Sequence, residues 1–181
     1  KVIGVERVPK DRSVLFIINH RGFFDVILAF YTVPVLSGFV SKKEIAKVPG
    51  LRLWMRLIRC VFLDRENPRE GIKAILKGIE NIKNGTSMFI SPEGTRYSGD
   101  GLLEFKPGSL KMAEKAGCPI VPVAITNANK VFEDHLPWIK PAEMTIEYGE
   151  PIYIQELSKE ARTKLLEHCR EKVLELYEKN L

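Results

Sequence analysis

Six short runs rich in β-branched, aromatic and other apolar residues punctuate the chain: Val14 to Asn19, Gly38 to Ser41, Cys60 to Asp64, Met88 to Ser91, Ile120 to Thr126 and Met144 to Tyr148. Segments long enough for helices separate most of them. Strands joined through helices cannot pair as hairpins, so this alternation points to an α/β fold with a largely parallel sheet flanked by helices. With 181 residues the chain has enough material for one full core and is short for two, so residues 1–181 are expected to form a single domain. Residues 1 to 10 read as a lead-in strand ending at Pro9. From about Glu156 to Asn180 the apolar positions Leu157, Ala161, Leu165, Cys169, Val173 and Leu176 recur at helical spacing, which predicts one helix packed on the sheet.

In open sheets of this kind, loops just beyond the carboxyl ends of strands bring distant parts of the chain together. Three loops fit that position: "NHRGFFD" after the first run, "DREN" after Cys60 to Leu63, and "SPEGTR" after Met88 to Ile90. In the first, His20 stands at a strand mouth and Asp25 five positions on, at the start of an apolar helix Val26 to Leu36. Across a tight turn the two can touch. A carboxylate on one ring nitrogen would fix the tautomer and leave the other nitrogen as a base. The spacing alone equally allows a strand-end histidine and an aspartate N-cap.

The second loop carries Asp64 and Arg65, and the third Glu93, Gly94, Thr95 and Arg96. Guanidinium meets phosphate oxygens in a bidentate way that lysine cannot, so two arginines in convergent loops suggest a phosphate site. A surface Asp-Arg pair and a plain glycine turn are the bland alternatives. Downstream, "FKPGS" adds Lys106 and Gly108 where a helix N-terminus would also favour an anion.

Composition narrows the chemistry. The three cysteines, Cys60, Cys118 and Cys169, are odd in number and widely spaced, with no CxxC pair to hold zinc and no support for a thiol nucleophile. No GxSxG elbow is present for a serine hydrolase, and no His/Asp/Glu cluster has metal-ligand spacing. A net charge of +5 suits phosphate-bearing substrates or an anionic lipid surface. The most apolar stretch, Val26 to Leu36, is too short to span a bilayer, and Thr32 and Pro34 interrupt it. Because the chain begins at Lys1, a membrane-anchoring segment upstream is expected to lie outside residues 1–181. The stretch "LRLWMRLIR" places Leu51, Trp54, Met55 and Ile58 on one helical stripe and Arg52, Arg56 and Arg59 on another. Such a helix either lies on a membrane with its Trp at headgroup level or packs on the sheet with solvated arginines.

Taken in order, "NHRGFFD", "FLDR", "SPEGTR" and "IVPVAI" resemble the glycerophospholipid acyltransferases of the HxxxxD type, typified by 1-acylglycerol-3-phosphate acyltransferase. The resemblance spans residues 14 to about 126. It implies that His20 deprotonates the acceptor hydroxyl, with Asp25 orienting it. It implies that Asp64, Arg65 and Glu93 to Arg96 bind the acceptor's glycerol phosphate, with Lys106 and Gly108 in the same site. Val121, Pro122 and Val123 match a block associated with the acyl chain. The implied acceptor is lysophosphatidate, and the implied co-substrate is acyl-CoA or acyl carrier protein, with no bound cofactor, no metal and no nucleic acid. The implied location is the membrane surface on its cytoplasmic face. Another lysophospholipid or glycerol 3-phosphate is the nearest alternative acceptor; a non-catalytic lipid-binding module and a metal-dependent phosphatase are alternatives of other classes. The chain departs from the family's pattern at Gly22, commonly Ser or Thr, and at Ser91, commonly Phe, which bears on the acyl channel and on the acceptor. If the donor is already a thioester, no covalent enzyme intermediate is required, and the missing nucleophile is expected.

Overall fold

The computed structural model describes residues 1–181. Seven strands form one sheet: β1 (Val2–Ile3), β2 (Leu15–Ile18), β3 (Ser37–Lys42), β4 (Val61–Leu63), β5 (Ser87–Ile90), β6 (Ile120–Thr126) and β7 (Thr145–Tyr148), in the order β1-β7-β6-β2-β5-β3-β4. Every pairing is parallel except β6 with β7. The six expected strands are all present. The lead-in strand, in contrast, is only two residues long, because Gly4 turns left-handed at φ 71° and starts a 3-10 turn at Val5–Arg7.

Alternation along the central strands sorts side chains onto two faces. Leu15, Ile17, Met88, Ile90, Ile120 and Ala124 face α3 (Pro68–Lys83), α4 (Lys111–Ala116) and α6 (Leu165–Lys179). Phe16, Phe89, Val121, Val123 and Ile125 face the side that holds α1 (Phe24–Thr32). On that side Phe16, Phe89 and Phe39 stack across three adjacent strands, with ring centroids 4.2 and 4.8 Å apart. Each fully buried side chain of this size contributes about 1.5 to 3 kcal/mol by leaving water, so the two layers fix the sheet's register.

Three helix expectations need correction. α1 starts two residues before Val26 and stops at Thr32, because Val33 precedes Pro34 and turns extended (φ −66°, ψ 129°). The C-terminal helix is broken: α5 (Lys159–Thr163) ends at Lys164, and the continuous stripe is Leu165, Cys169, Val173 and Tyr177 on α6. The basic helix α2 (Pro49–Leu57) ends before Arg59, which is left-handed at φ 58° and so lies off the predicted arginine stripe.

Connectivity locates the crevice. β2 leads through α1 to β3, beyond β5, whereas β5 leads through α4 to β6, beyond β2. The loops that leave the carboxyl ends of these two neighbouring parallel strands, "NHRGFFD" and "SPEGTR", therefore lie side by side and line a cleft there.

Candidate active site

His20 follows β2 by two residues, and its backbone is tied on both sides. Its N–H donates to Glu93 Oε1 (3.1 Å), and its carbonyl accepts from Tyr97 N–H (3.0 Å). Just before it, the buried Asn19 amide grips β6 through both backbone groups of one residue, donating to Ile125 O (2.8 Å) and accepting from Ile125 N–H (2.7 Å). The "IVPVAI" block thus reaches the site through the Asn19 clamp. Val121, Pro122 and Val123 themselves are buried at the sheet's centre, in register with Phe16, Ile17 and Ile18, and do not line the cleft.

His20 Nδ1 lies 2.8 Å from Asp25 Oδ2. The same oxygen accepts the backbone N–H groups of Arg21 (2.6 Å) and Gly22 (2.8 Å). Asp25 sits in the first turn of α1 and reaches back to the loop; it is not the N-cap, a position held by Phe23. A carboxylate already accepting two N–H groups cannot donate from that oxygen, so Nδ1 carries the proton and Nε2 is left with its lone pair. Asp25 is 2% exposed while the His20 side chain is 27% exposed, an orienting group below and a reachable base above.

The "SPEGTR" loop splits into two roles. Glu93 is buried below the cleft and does not line it: Oε1 takes His20 N–H, and Oε2 takes Leu103 N–H (2.9 Å). Burial pushes its carboxyl above the ordinary glutamate range, against these hydrogen bonds and the nearby Arg21. Gly94, Thr95 and Arg96 do line the cleft. Gly94 is left-handed at φ 72°, and a Cβ there would stand 2.8 Å from Lys106 Cε, because the lysine lies across this turn. Lys106 N–H donates to Pro92 O (2.9 Å), and Arg65 Nη1 donates to Gly94 O, so two distant segments close on this one loop.

Asp64 does not reach the cleft. Its Oδ2 takes Lys43 Nζ (2.7 Å), which holds its carboxyl below the ordinary range, and its Oδ1 accepts Glu66 and Asn67 N–H. That turn delivers Asn67 as the N-cap of α3 and leaves Arg65 facing inward. Gly108 lines the cleft three residues before α4 begins.

Behind these groups the cleft widens into a cavity of about 1130 Å³. Much of its lining is apolar: Phe39, Met55 and Phe89 are buried, Leu51 and Ile75 are half-buried, and Val48 and Trp54 are exposed. Its polar mouth holds His20, Arg65, Arg96 and Lys106. Trp54 lines this cavity and packs edge-on against Phe30 (5.1 Å between centroids) while staying partly open to solvent; with Leu53 and Leu57 it makes up the apolar surface that α2 exposes. None of the cysteines lines the cavity. Burial pushes the thiols of Cys60 and Cys118 up to about 11 and that of Cys169 to about 12, so they stay protonated at neutral pH. No group of three His, Cys, Asp or Glu side chains is placed to hold a metal ion, and no helix is long and apolar enough to cross a membrane.

Three contributors escaped the sequence reading. Asn19 carries no chemical signal of its own in the motif, since its clamp on β6 exists only once the strands pair. Arg21, 5% exposed, donates to the carbonyls of Tyr97, Gly99 and Gly101 and lies 4.4 Å from the centre of the Tyr177 ring, which secures the chain after Arg96. Glu133, between β6 and β7, pairs with Arg96 Nη1 (2.9 Å). Arg21 carried a signal, a charge beside a run of buried residues; nothing local marks Glu133.

Residues 1–126 match the Acyltransferase family model. The chain is similar to the 1-acyl-sn-glycerol-3-phosphate acyltransferase of Borreliella burgdorferi, 28% identical across 98% of this chain and 71% of that protein. It is similar to the enzyme of that name from Saccharomyces cerevisiae, 30% identical across 97% of this chain and 58% of the yeast protein. Among solved structures it superposes on the 1-acyl-sn-glycerophosphate acyltransferase PlsC of Thermotoga maritima with a TM-score of 0.80 at 31% identity, covering 97% of this chain and 70% of that one.

Proposed function

The chain belongs to the Acyltransferase family, and from that premise we propose that it transfers an acyl chain from a thioester to the free hydroxyl of lysophosphatidate, forming phosphatidate for phospholipid synthesis. The observation that carries this reading is the composition of one cleft. A single oriented base, His20, shares the cleft with cations that suit a phosphate and with an apolar lining that suits an acyl chain. Arg65, Arg96 and Lys106 are the cations nearest the motif loops, with Lys42, Lys111 and Lys115 beside them.

An alcohol is far too weak an acid for a histidine of pKa about 6.5 to deprotonate before attack. Proton transfer to His20 Nε2 therefore accompanies formation of the bond from the acceptor oxygen to the thioester carbon. Asp25 stabilises the imidazolium at Nδ1. The tetrahedral oxyanion then collapses, the carbon–sulfur bond breaks, and the thiolate leaves with the proton held by His20. No step needs a nucleophile from the protein. In the loop beside His20, Gly94 N–H already donates to Ser91 O (3.1 Å), so the neighbouring Thr95 N–H is the candidate donor to the oxyanion.

Arg65, Arg96 and Lys106 hold the acceptor's phosphate, and Asp64 and Glu93 act by shaping the loops that carry them. The donor is acyl-CoA or acyl carrier protein. Exposed apolar side chains around the cavity, Ile27, Leu53, Leu57, Ile72 and Leu76, rest against the membrane from which the acceptor comes. A panel of acceptors with and without phosphate, each with both donors, tests the assignment. Lysophosphatidate is expected to be acylated and its dephosphorylated counterpart turned over at least tenfold less efficiently. Equal turnover of the two would refute the role of the cations.

A further inference from the structure

Glu133 touches the site from 110 residues away in sequence. Its Oε1 accepts both Phe23 N–H (2.7 Å) and Arg96 Nη1 (2.9 Å). Its Oε2 has no hydrogen-bond partner and lies over Gly22, where an added Cβ would stand 2.6 Å from it. The glycine at 22 is thus the space the carboxylate needs.

We propose that Glu133 is a positioning residue that aims Arg96 at the acceptor's phosphate and fixes its distance from His20. This rests on the reading of Arg96 as a phosphate ligand. Phe23 N–H is one of the unpaired donors at the N-terminus of α1, so the carboxylate is pinned to a rigid helix end that also favours its charge. Arg96 is more than half exposed, and its long side chain would otherwise sample many rotamers. One guanidinium nitrogen is held by Glu133, and the remaining N–H donors stay available for phosphate. The same first turn of α1 carries Asp25, which orients His20. Base and phosphate anchor therefore share one frame, and the gap between them selects the acceptor's hydroxyl-to-phosphate spacing.

The test is steady-state kinetics on the full chain with lysophosphatidate and acyl-CoA, comparing wild type, Glu133→Gln, Glu133→Ala, Gly22→Ala and the double variant Glu133→Ala/Gly22→Ala. Glu133→Ala is expected to raise the acceptor KM about tenfold with the donor KM unchanged, as for loss of one charge-assisted contact. Glu133→Gln, which keeps an acceptor for Phe23 N–H, should fall between. Gly22→Ala should push the carboxylate aside and raise the acceptor KM similarly, and the double variant should be no worse than the more impaired single one. An unchanged or lowered acceptor KM in Glu133→Ala, an equal rise for donor and acceptor, or additive effects would overturn the proposal. If Gly22→Ala fails to fold, the two Glu133 variants decide it alone. Failure of the wild type to acylate any phosphate-bearing acceptor would overturn the functional reading and this inference with it. Normal wild-type turnover with an unaffected Glu133→Ala would overturn this inference only.

Discussion

His20 Nδ1 and Asp25 Oδ2 are 2.8 Å apart, and the oxygen that orients the ring also gathers the N–H groups of Arg21 and Gly22. One carboxylate thus shapes the turn and sets the tautomer of the base. Asp25→Asn keeps the size of the side chain but replaces one acceptor oxygen with an NH2 group. If the amide nitrogen faces the ring, it stabilises the wrong tautomer. We expect kcat to fall about 10²-fold or more, with the acceptor KM little changed. Parallel thermal melts separate this from unfolding; full kcat in a folded Asp25→Asn protein would remove the orienting role.

Arg96 stands apart from the proton transfer, so its replacement should affect binding. Arg96→Lys retains the charge and loses the planar fork. The acceptor KM is expected to rise about tenfold while kcat and the donor KM stay within about twofold. Matched changes in the kinetics of donor and acceptor would contradict the assignment of this arginine to phosphate.

At the far edge of the site-bearing sheet, Glu147 is fully buried between Lys179 Nζ (2.7 Å), Asn180 Nδ2 (2.6 Å) and Arg7 Nη1 (3.5 Å). Burial alone would raise its carboxyl, but Lys179, Asn180 and Arg7 together hold it below the ordinary glutamate range. A depressed folded-state pKa means the stabilisation is present above the unfolded value, about 4.3, and is lost as pH falls through the lower folded value. Glu147→Gln should lower Tm at pH 7 by roughly 2 to 4 °C, as for about 1 kcal/mol. That gap should close as both proteins are melted at successively lower pH below about 4. A gap that persists or widens in acid would contradict the ion cluster.

The fold was legible because β2, β5 and β6 are near-continuous apolar runs bounded by turn residues, the pattern that burial on both faces of a parallel sheet imposes. His20, Arg65 and Arg96 were legible because each lies in the loop that follows a strand, where topology places functional groups. The roles inside the motifs were less so. Asp64 and Glu93 look like ligands in sequence, yet both spend their oxygens on backbone N–H groups and a lysine, which only the folded turns reveal. For Trp54 the spacing leaves both settings open, because it cannot tell a helix face on lipid from one facing the protein; the fold places it on the cavity lining. Glu133 was invisible, since its partner Phe23 N–H is a backbone group brought near by the segment that joins β6 to β7.

In the proposed mechanism one histidine base takes the acceptor's proton, and the decisive variant is His20→Ala. The measurement is kcat for acyl transfer from acyl-CoA to lysophosphatidate at saturating substrates, with a thermal melt to show that the variant is folded. General-base catalysis of this kind is worth about 10²- to 10⁴-fold, so a folded His20→Ala protein is expected to lose at least 10²-fold in kcat. A folded variant that turned over at the wild-type rate would contradict the account.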